Sequence, residues 1–222
     1  MATRAVDARS RRYDPAETRQ RVLEAANMLF STRGFVGTGT ADIAREADVS
    51  EGSIFYHFGS KRNLLTELGR MYGERMVEAM QLPGEALNEL GPRSTIMRCF
   101  AYCETNKEWE TIVSGATENG CAKLETAHHH HHPEAEPFYL ASREVVVRWV
   151  ERQIGAVLAR QGRTDINVPV AASLTYAAVS NALDSAFRPG TSLEDRAAIR
   201  DETIRYVTAA EGWTPATTAA ND

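Results

Sequence analysis

Residues 50–61 concentrate side chains that can do polar chemistry in one short stretch, which reads SEGSIFYHFGSK. Its hydroxyl, phenol, imidazole and ammonium groups can donate hydrogen bonds to phosphate oxygens and to the edges of nucleic-acid bases. Catalysis would need a nucleophile, a base and an orienting partner, and no such set is evident in the sequence. The residue types therefore indicate binding, and we expect no enzyme.

A helix with 100° per residue over positions 50–59 separates these side chains into two faces. The apolar face consists of Ile54, Phe55 and Phe58, and the opposite face consists of Gly52, Ser53, Tyr56 and His57. Small residues followed by polar aromatic residues suit a helix that lies in the major groove of DNA. Lys61, together with the free amides that begin the next helix, can hold a phosphate.

The elements that must position this helix are predicted to be helices as well. Asp14-Pro15 is a helix start, an apolar face follows at spacings of three and four, and Gly34 ends the helix. A second helix begins near Thr40, which we expect to be its cap, the third lies between a Ser50 cap and Gly59, and a fourth runs from a Ser60 cap to about Gln81. Further helices are expected near 93–105, 107–118, 135–161, 168–187 and 192–211.

These elements predict an all-α fold in which three N-terminal helices are joined by the long fourth helix to a larger helical domain. The expected divisions are a disordered basic arm (1–13), an N-terminal three-helix domain (14–62, or about 16–76 with the connecting helix), a larger helical domain (63–213) and a flexible tail (214–222). The uncharged stretch 166–183 contains Pro169 and several polar residues, so we expect a helix buried in protein and no membrane span.

Charge is distributed unevenly along the chain. The net charge is −5 over 222 residues, which argues against indiscriminate nucleic-acid binding. Residues 1–62, however, hold ten Lys and Arg against eight Asp and Glu, so a weakly basic head precedes an acidic body. The three cysteines are an odd number, so they do not form a framework of paired disulfide bonds. The charged N-terminus has no signal-peptide pattern. A reduced cytoplasmic location is therefore expected.

Residues 18–65 resemble the TetR family of bacterial transcriptional regulators. The ordered pattern runs through Gly-Phe, Ile-Ala, Ala-x-Val-Ser, Gly-Ser-Ile-Phe-Tyr-His-Phe, Ser-Lys and Leu-Leu. The resemblance implies that 14–62 is a helix-turn-helix DNA-binding domain and that 63–213 is an effector-binding and dimerisation domain. It further implies a repressor that binds a palindromic operator in double-stranded DNA as a dimer through the helix-turn-helix at 39–58 and is released by a small-molecule effector. The DNA-facing positions that it implies are Thr38, Thr40, Ser50, Gly52, Ser53, Tyr56, His57 and Lys61.

Three departures from the family pattern affect this DNA-facing set. Asp48 stands where the turn usually has Gly, and Asp tolerates the left-handed conformation better than most residues. Glu51 would repel nearby phosphates, although it could instead accept from a cytosine amino group. Gly39 and Ala41 replace bulkier residues, so contacts from the second helix are expected to be sparse.

The remaining helices are expected to form a dimer interface and an effector pocket. The helix at 168–187 and the last helix would pair with their symmetry mates, as in the family. The effector is expected to be apolar or aromatic. The larger or polar-tipped residues that we place near its pocket are Met97, Phe100, Cys103, Trp109, Tyr139, Trp149 and Asn181.

A run of five histidines, His128–His132, keeps a second hypothesis open. Imidazoles bind Zn, Ni and Cu, but adjacent side chains on a fixed backbone rarely converge on one ion. We therefore assign no metal site and no cofactor. The alternative is an all-helical protein that binds a small molecule, or a metal through this run, and has lost DNA binding.

Overall fold

The computed structural model describes residues 14–106 and 135–213, and within these ranges the chain is helical with no strand. The helices are α1 (Pro15–Arg33), α2 (Thr40–Glu46), α3 (Glu51–Phe58), α4 (Lys61–Met80), α5 (Pro92–Thr105), α6 (Glu136–Gln161), α7 (Val168–Ala186) and α8 (Leu193–Glu211), with a 3₁₀ turn at Leu87–Glu89. The all-α prediction is confirmed. Outside the described residues lie the predicted arm, tail and helix 107–118, and also Trp109 and the histidine run.

Side chains that accept from free amides fix most of the helix starts. The Asp14 carboxylate accepts from Ala16 N at 2.9 Å, and Ser60 Oγ accepts from Asn63 N at 3.1 Å. At α2 the cap residue is Gly39 and not Thr40, which is the first residue of the helix. Asp42 makes this possible because its carboxylate accepts from Gly39 N at 3.3 Å.

Two hydrophobic clusters lie along the molecule, and α4 and α6 contribute to both. The first contains the apolar faces of α1, α2 and α3, Leu64, Leu65 and Leu68 of α4, and also Ala135 and Phe138 from the start of α6. The second contains Met80 at the end of α4 together with residues of α5, α6, α7 and α8. The start of α6 therefore packs in the same cluster as the three N-terminal helices.

Helices α4 and α6 meet backbone to backbone at two glycines. A Cβ at Gly69 would lie 2.2 Å from Phe138 O, and a Cβ at Gly73 would lie 2.8 Å from Ser142 O. Both distances are far inside van der Waals contact, so no other residue fits either position without separating the helices. This crossing joins α4, which follows the three N-terminal helices, to α6, which is the longest helix of the second cluster.

Helix α7, which the sequence predicts to be buried in protein, is only partly covered in the single chain. Ala172, Ala182 and Ala186 are buried, whereas Val170 is 53% and Leu174 65% exposed. None of the helices in the described ranges combines the length and apolar character that a membrane span would need. The exposed side chains leave an apolar surface on α7.

Candidate nucleic-acid interface and ligand cavity

Helix α3 is fixed on the N-terminal core by its cap, its preceding turn and two buried side chains. Ser50 Oγ accepts from Ser53 N at 3.2 Å, and Ile54 and Phe58 are 0% and 6% exposed. In the α2–α3 turn, Asp48 has a φ of 53°, as its position in the pattern predicts. The helix is therefore held rigidly from one side.

The opposite edge of α3 faces solvent, as predicted. Tyr56 is 77% exposed, Gly52 is exposed, and Ser53 and His57 are half-buried. The Tyr56 and His57 rings contact each other edge to face, with centroids 5.0 Å apart. This arrangement places the phenol and the imidazole side by side at the C-terminal end of the helix.

Phe55 does not lie on the buried face as predicted, because it is 49% exposed. The 100° rotation puts it next to Ile54 at the margin of the buried face, and the short α3 buries only Ile54 and Phe58. A large apolar side chain therefore adjoins the polar edge.

A hydrogen bond between Thr40 and Glu51 joins the starts of α2 and α3. Thr40 Oγ1 donates to Glu51 Oε1 at 2.5 Å, which gives the unexpected glutamate a local partner. Ser50 Oγ and Ser53 Oγ lie 2.8 Å apart. Three of the hydroxyls predicted to contact DNA thus also bond within the helix-turn-helix, and their role toward DNA stays a prediction.

The side chains of Thr38 and Lys61 donate hydrogen bonds to main-chain carbonyls within the N-terminal domain. Thr38 is 1% exposed, and its hydroxyl donates to Gly34 O at 2.9 Å, so its side chain is not part of the exposed edge. The turn after α1 leaves carbonyls that this hydroxyl satisfies, which explains the wrong placement. Lys61 Nζ donates to Phe35 O at 2.9 Å and Thr38 O at 3.0 Å, and its predicted phosphate contact stays untested.

A cavity of about 110 Å³ lies in the second cluster between α4, α5, α6, α7 and α8. Cys103, Tyr139 and Trp149 line it, as predicted for the effector pocket. Met97 is 37% exposed on the outer side of α5, and Asn181 is exposed on α7 next to the lining residue Ser180. Helical rotation by one position therefore moves both predicted residues away from the cavity.

Phe100 is also absent from the lining. It is buried, and its ring centroid lies 6.1 Å from that of Phe187. It packs between α5 and the end of α7, so its contribution is to the core.

The polar groups of the cavity wall are few and were missed from the sequence. They include Glu211, Gln153, Tyr72, Tyr176, Thr175, Ser180 and Asp184. Glu211 is 6% exposed, and its carboxylate accepts from Thr175 Oγ1 at 3.1 Å. A signal was present, because Glu211 continues the apolar stripe of Ile204 and Val207 along α8.

Burial shifts the acid–base behaviour of these groups toward their neutral forms. Desolvation raises the pKa of Glu211 to about 7, although the Thr175 hydroxyl opposes the shift. Desolvation also raises the pKa of Tyr72, with a contribution from Cys103, and that of Tyr176, with one from Tyr139. The hydrogen bond to Cys103 and burial raise the pKa of the Cys99 thiol. The phenols of Tyr72 and Tyr176 and the thiol of Cys99 therefore stay neutral near pH 7.

Tyr72 and Phe138 connect the cavity with the N-terminal domain. Both line the cavity, and both also line a second, more polar pocket of about 120 Å³ that α1, α4 and α5 surround. Their ring centroids are 5.6 Å apart. A change in the cavity would therefore reach residues that contact α1.

Comparisons with known proteins agree with this geometry. Residues 22–68 match the family described as bacterial regulatory proteins, tetR family. The chain is 35% identical over 88 residues to the HTH-type transcriptional regulator AcrR of Shigella flexneri, which covers 37% of this chain and 41% of AcrR. It is 32% identical over 121 residues to the HTH-type transcriptional repressor NicS of Pseudomonas putida, which covers 54% of this chain and 55% of NicS. The matches thus span well under two thirds of these relatives.

Solved structures share the fold over most of the chain. Salmonella enterica GusR superimposes with a TM-score of 0.62 at 19% identity, covering 92% of this chain and 100% of GusR. FadR from Bacillus subtilis, solved in complex with stearoyl-CoA, has a TM-score of 0.57 at 14% identity and covers 86% of this chain and 98% of FadR. Residues 22–68, from α1 to α4, therefore form a domain of the tetR family type, and the chain as a whole shares the all-helical fold of these structures.

Proposed function

We propose that the chain is a transcriptional repressor that binds a palindromic operator as a dimer and is released by a small-molecule effector. The observation that carries the proposal is the outward edge of α3, where Tyr56 is 77% exposed on a helix whose other side is fixed in the core. A rigid helix with a small start and a polar aromatic end can enter the major groove. We propose binding and regulation, and no catalysis.

Dimerisation follows from the geometry of DNA recognition. One helix-turn-helix contacts a few base pairs, and two related by a two-fold axis read half-sites about 34–36 Å apart or a multiple of that spacing. Four large apolar side chains on α7 and α8 are exposed in the single chain, namely Val170, Leu174, Leu193 and Tyr206. These support pairing of α7 and α8 with their copies.

Effector control is supported by the cavity and its connection to the N-terminal domain. A ligand can release the DNA only if it binds better to one particular conformation of the dimer. In that conformation the α3 helices of the two protomers no longer match successive major grooves. Tyr72 and Phe138 border both the cavity and the pocket beside α1. We propose that displacement of these two rings changes the position of α1 relative to α4.

The experiment that tests the proposal is a gel shift with DNA that flanks the chain's own gene. We expect a shift at low salt that weakens as salt rises, because phosphate contacts release counterions. Tyr56→Ala should weaken binding about tenfold, the cost of one good base or phosphate contact. Leu140→Ala removes a side chain that is 51% exposed on α6 and should leave binding unchanged.

Two results of this experiment would contradict the proposal. If no DNA fragment shifts at low salt while circular dichroism shows a folded helical protein, the chain does not bind DNA and the alternative of a helical ligand-binding protein gains support. If Tyr56→Ala and Leu140→Ala weaken binding alike, the edge of α3 is not the contact surface.

A further inference from the structure

The cavity wall combines an apolar surface with two carboxyl groups. Glu211 and Asp184 both line it, and among the lining residues that the structure describes there is no Lys, Arg or His. An anionic ligand would therefore lose its hydration without gaining a cationic partner from these residues. A ligand that carries positive charge would instead meet the Glu211 carboxyl group in this wall.

Glu211 is the carboxyl group whose surroundings are best defined. Within residues 14–106 and 135–213, the hydrogen-bond partner of its side chain is Thr175, through Oε1 at 3.1 Å. Arg163 lies nearby but donates to the main-chain carbonyls of Glu211 and Gly212, at 3.2 and 3.3 Å, and is paired with Asp165. The buried carboxylate therefore keeps acceptor capacity that the described residues do not fill.

Gln153 provides an independent indication of a ligand that donates hydrogen bonds. Its side chain is 4% exposed and lines the cavity, and its Nε2 donates to Leu90 O at 2.7 Å. The amide oxygen is the part of the group that remains as an acceptor. Two buried polar side chains of the cavity thus offer oxygens to whatever the cavity holds.

The aromatic walls suit the body of such a ligand. Tyr72, Phe138, Tyr139, Trp149 and Tyr176 all line the cavity. Trp149 Nε1 already donates to Gln81 Oε1 at 3.0 Å, so the indole contributes its ring surface. Aromatic faces attract cations as well as apolar groups, most strongly where water is excluded.

We infer that the cavity binds an amphipathic monocation, with an apolar or aromatic body and one protonated amine, and that the Glu211 carboxylate pairs with this amine. The inference rests on the proposed function, because it names the chemical class of the effector that the cavity takes. Glu211 sets the specificity, and the amide oxygen of Gln153 accepts a hydrogen bond from a second donor of the ligand.

The titration of Glu211 gives the inference a signature in pH. Burial raises the pKa of Glu211 to about 7, so near neutrality the group is partly protonated, and binding of a cation must ionise it and release a proton. The other titratable groups that face the cavity are Tyr72 of α4, Cys99 and Cys103 of α5, Tyr139 of α6, and Tyr176 and Asp184 of α7. The raised pKa values of Tyr72, Tyr176 and Cys99 keep these groups neutral between pH 6 and 8, so they add no charge change.

The test is isothermal titration calorimetry of the full chain with three probes of one shape: 4-phenylbutylamine, 4-phenylbutanol and 4-phenylbutyrate. We expect the amine to bind about tenfold more tightly than the alcohol, as a hydrogen bond to a charged group allows, and the carboxylate to bind more weakly than either. Glu211→Gln should reduce the affinity for the amine to that for the alcohol and leave the alcohol unchanged. Glu194→Gln, at an exposed position of the same helix, is the matched control.

A second measurement keeps the inference testable if Glu211→Gln does not fold. In the unsubstituted chain the amine affinity should rise between pH 6 and 8, and the binding heat in two buffers of different ionisation enthalpy should report proton release. Equal affinities for the three probes, a preference for the carboxylate, no binding of the amine, or selectivity that Asp184→Asn removes and Glu211→Gln does not, each overturns the inference. None of these results bears on the gel shift without ligand, which tests the proposed function separately.

Discussion

At the scale of single residues, the two side chains with the clearest energetic consequences are Lys61 and Glu211. Both belong to types that are usually exposed, yet Glu211 is buried and Lys61 is partly buried, and each makes hydrogen bonds within the chain. Lys61 donates to two carbonyls of the segment between α1 and α2, while its Nζ lies 4.1 Å from the centre of the Phe35 ring. Their substitution should therefore change stability in ways that surface residues do not.

Lys61→Met should lower the free energy of unfolding by about 1–3 kcal/mol, because it leaves two carbonyls without their charged donor. Urea denaturation measures the difference. Arg62→Met is the control, since Arg62 is exposed and pairs with Glu136 at 3.7 Å on the surface, where such pairs contribute at most about 1 kcal/mol. Equal losses in the two variants would show that Lys61 does not hold this segment.

Glu211→Gln should change how stability depends on pH. The pKa of Glu211 is raised from 4.5 to about 7 in the folded chain, so between these values the folded state binds more protons than the unfolded state. Stability is therefore lost as pH rises through this window, by about 3 kcal/mol at most. The glutamine variant lacks this loss.

Urea denaturation at pH 5, 6, 7 and 8 tests the point. We expect Glu211→Gln to equal the unsubstituted chain near pH 5 and to exceed it at pH 8, while Glu194→Gln follows the unsubstituted chain throughout. A difference between Glu211→Gln and the unsubstituted chain that stays constant with pH would contradict the raised pKa.

At the scale of elements, the helices were predictable because their signals are local. Capping residues such as Asp14, Ser50 and Ser60 begin helices where the sequence indicates, and Gly34 and Gly59 follow their ends. The contacts between elements were not predictable in the same way. The burial of Thr38, the Thr40–Glu51 hydrogen bond and the exposure of Phe55 depend on how neighbouring helices are placed, which periodicity within one helix does not contain.

The residues that line the cavity were also hard to predict from periodicity within single helices. Cys103, Tyr139 and Trp149 were predicted from size and polarity, but Met97 and Asn181 have the same properties and face outward. A shift of one residue along a helix decides whether a side chain lines the cavity or faces outward. Glu211 was missed because a charged residue near the end of a helix is normally at the surface.

Gly69→Ala tests the contact between α4 and α6. Its Cβ would collide with the Phe138 carbonyl, so we expect a loss of about 1–3 kcal/mol or more in the free energy of unfolding. Gly155→Ala is the matched control in α6, because its Cβ would meet nothing within 4 Å, and it should stabilise the chain by up to about 1 kcal/mol. Equal stability of the two variants would mean that the helices can separate at no cost.

At the scale of the whole molecule, the exposed apolar side chains of α7 and α8 predict self-association. Leu174→Glu places a charge on this surface and should convert a dimer into a monomer, as sedimentation velocity at micromolar concentration would show. Leu140→Glu, on the exposed side of α6, should leave the dimer intact. A monomeric unsubstituted chain, or a dimer that persists in Leu174→Glu, would contradict the proposed interface.

The crossing at Gly69 and Gly73 limits the motions by which a ligand could act at a distance. Since the two main chains pack directly against each other there, we expect α4 and α6 to resist sliding past each other. We expect the two helices to tilt together, with their crossing at Gly69 and Gly73 as the pivot. Under the proposed function, any movement of α3 that a ligand causes would therefore depend on the angle of this pair of helices.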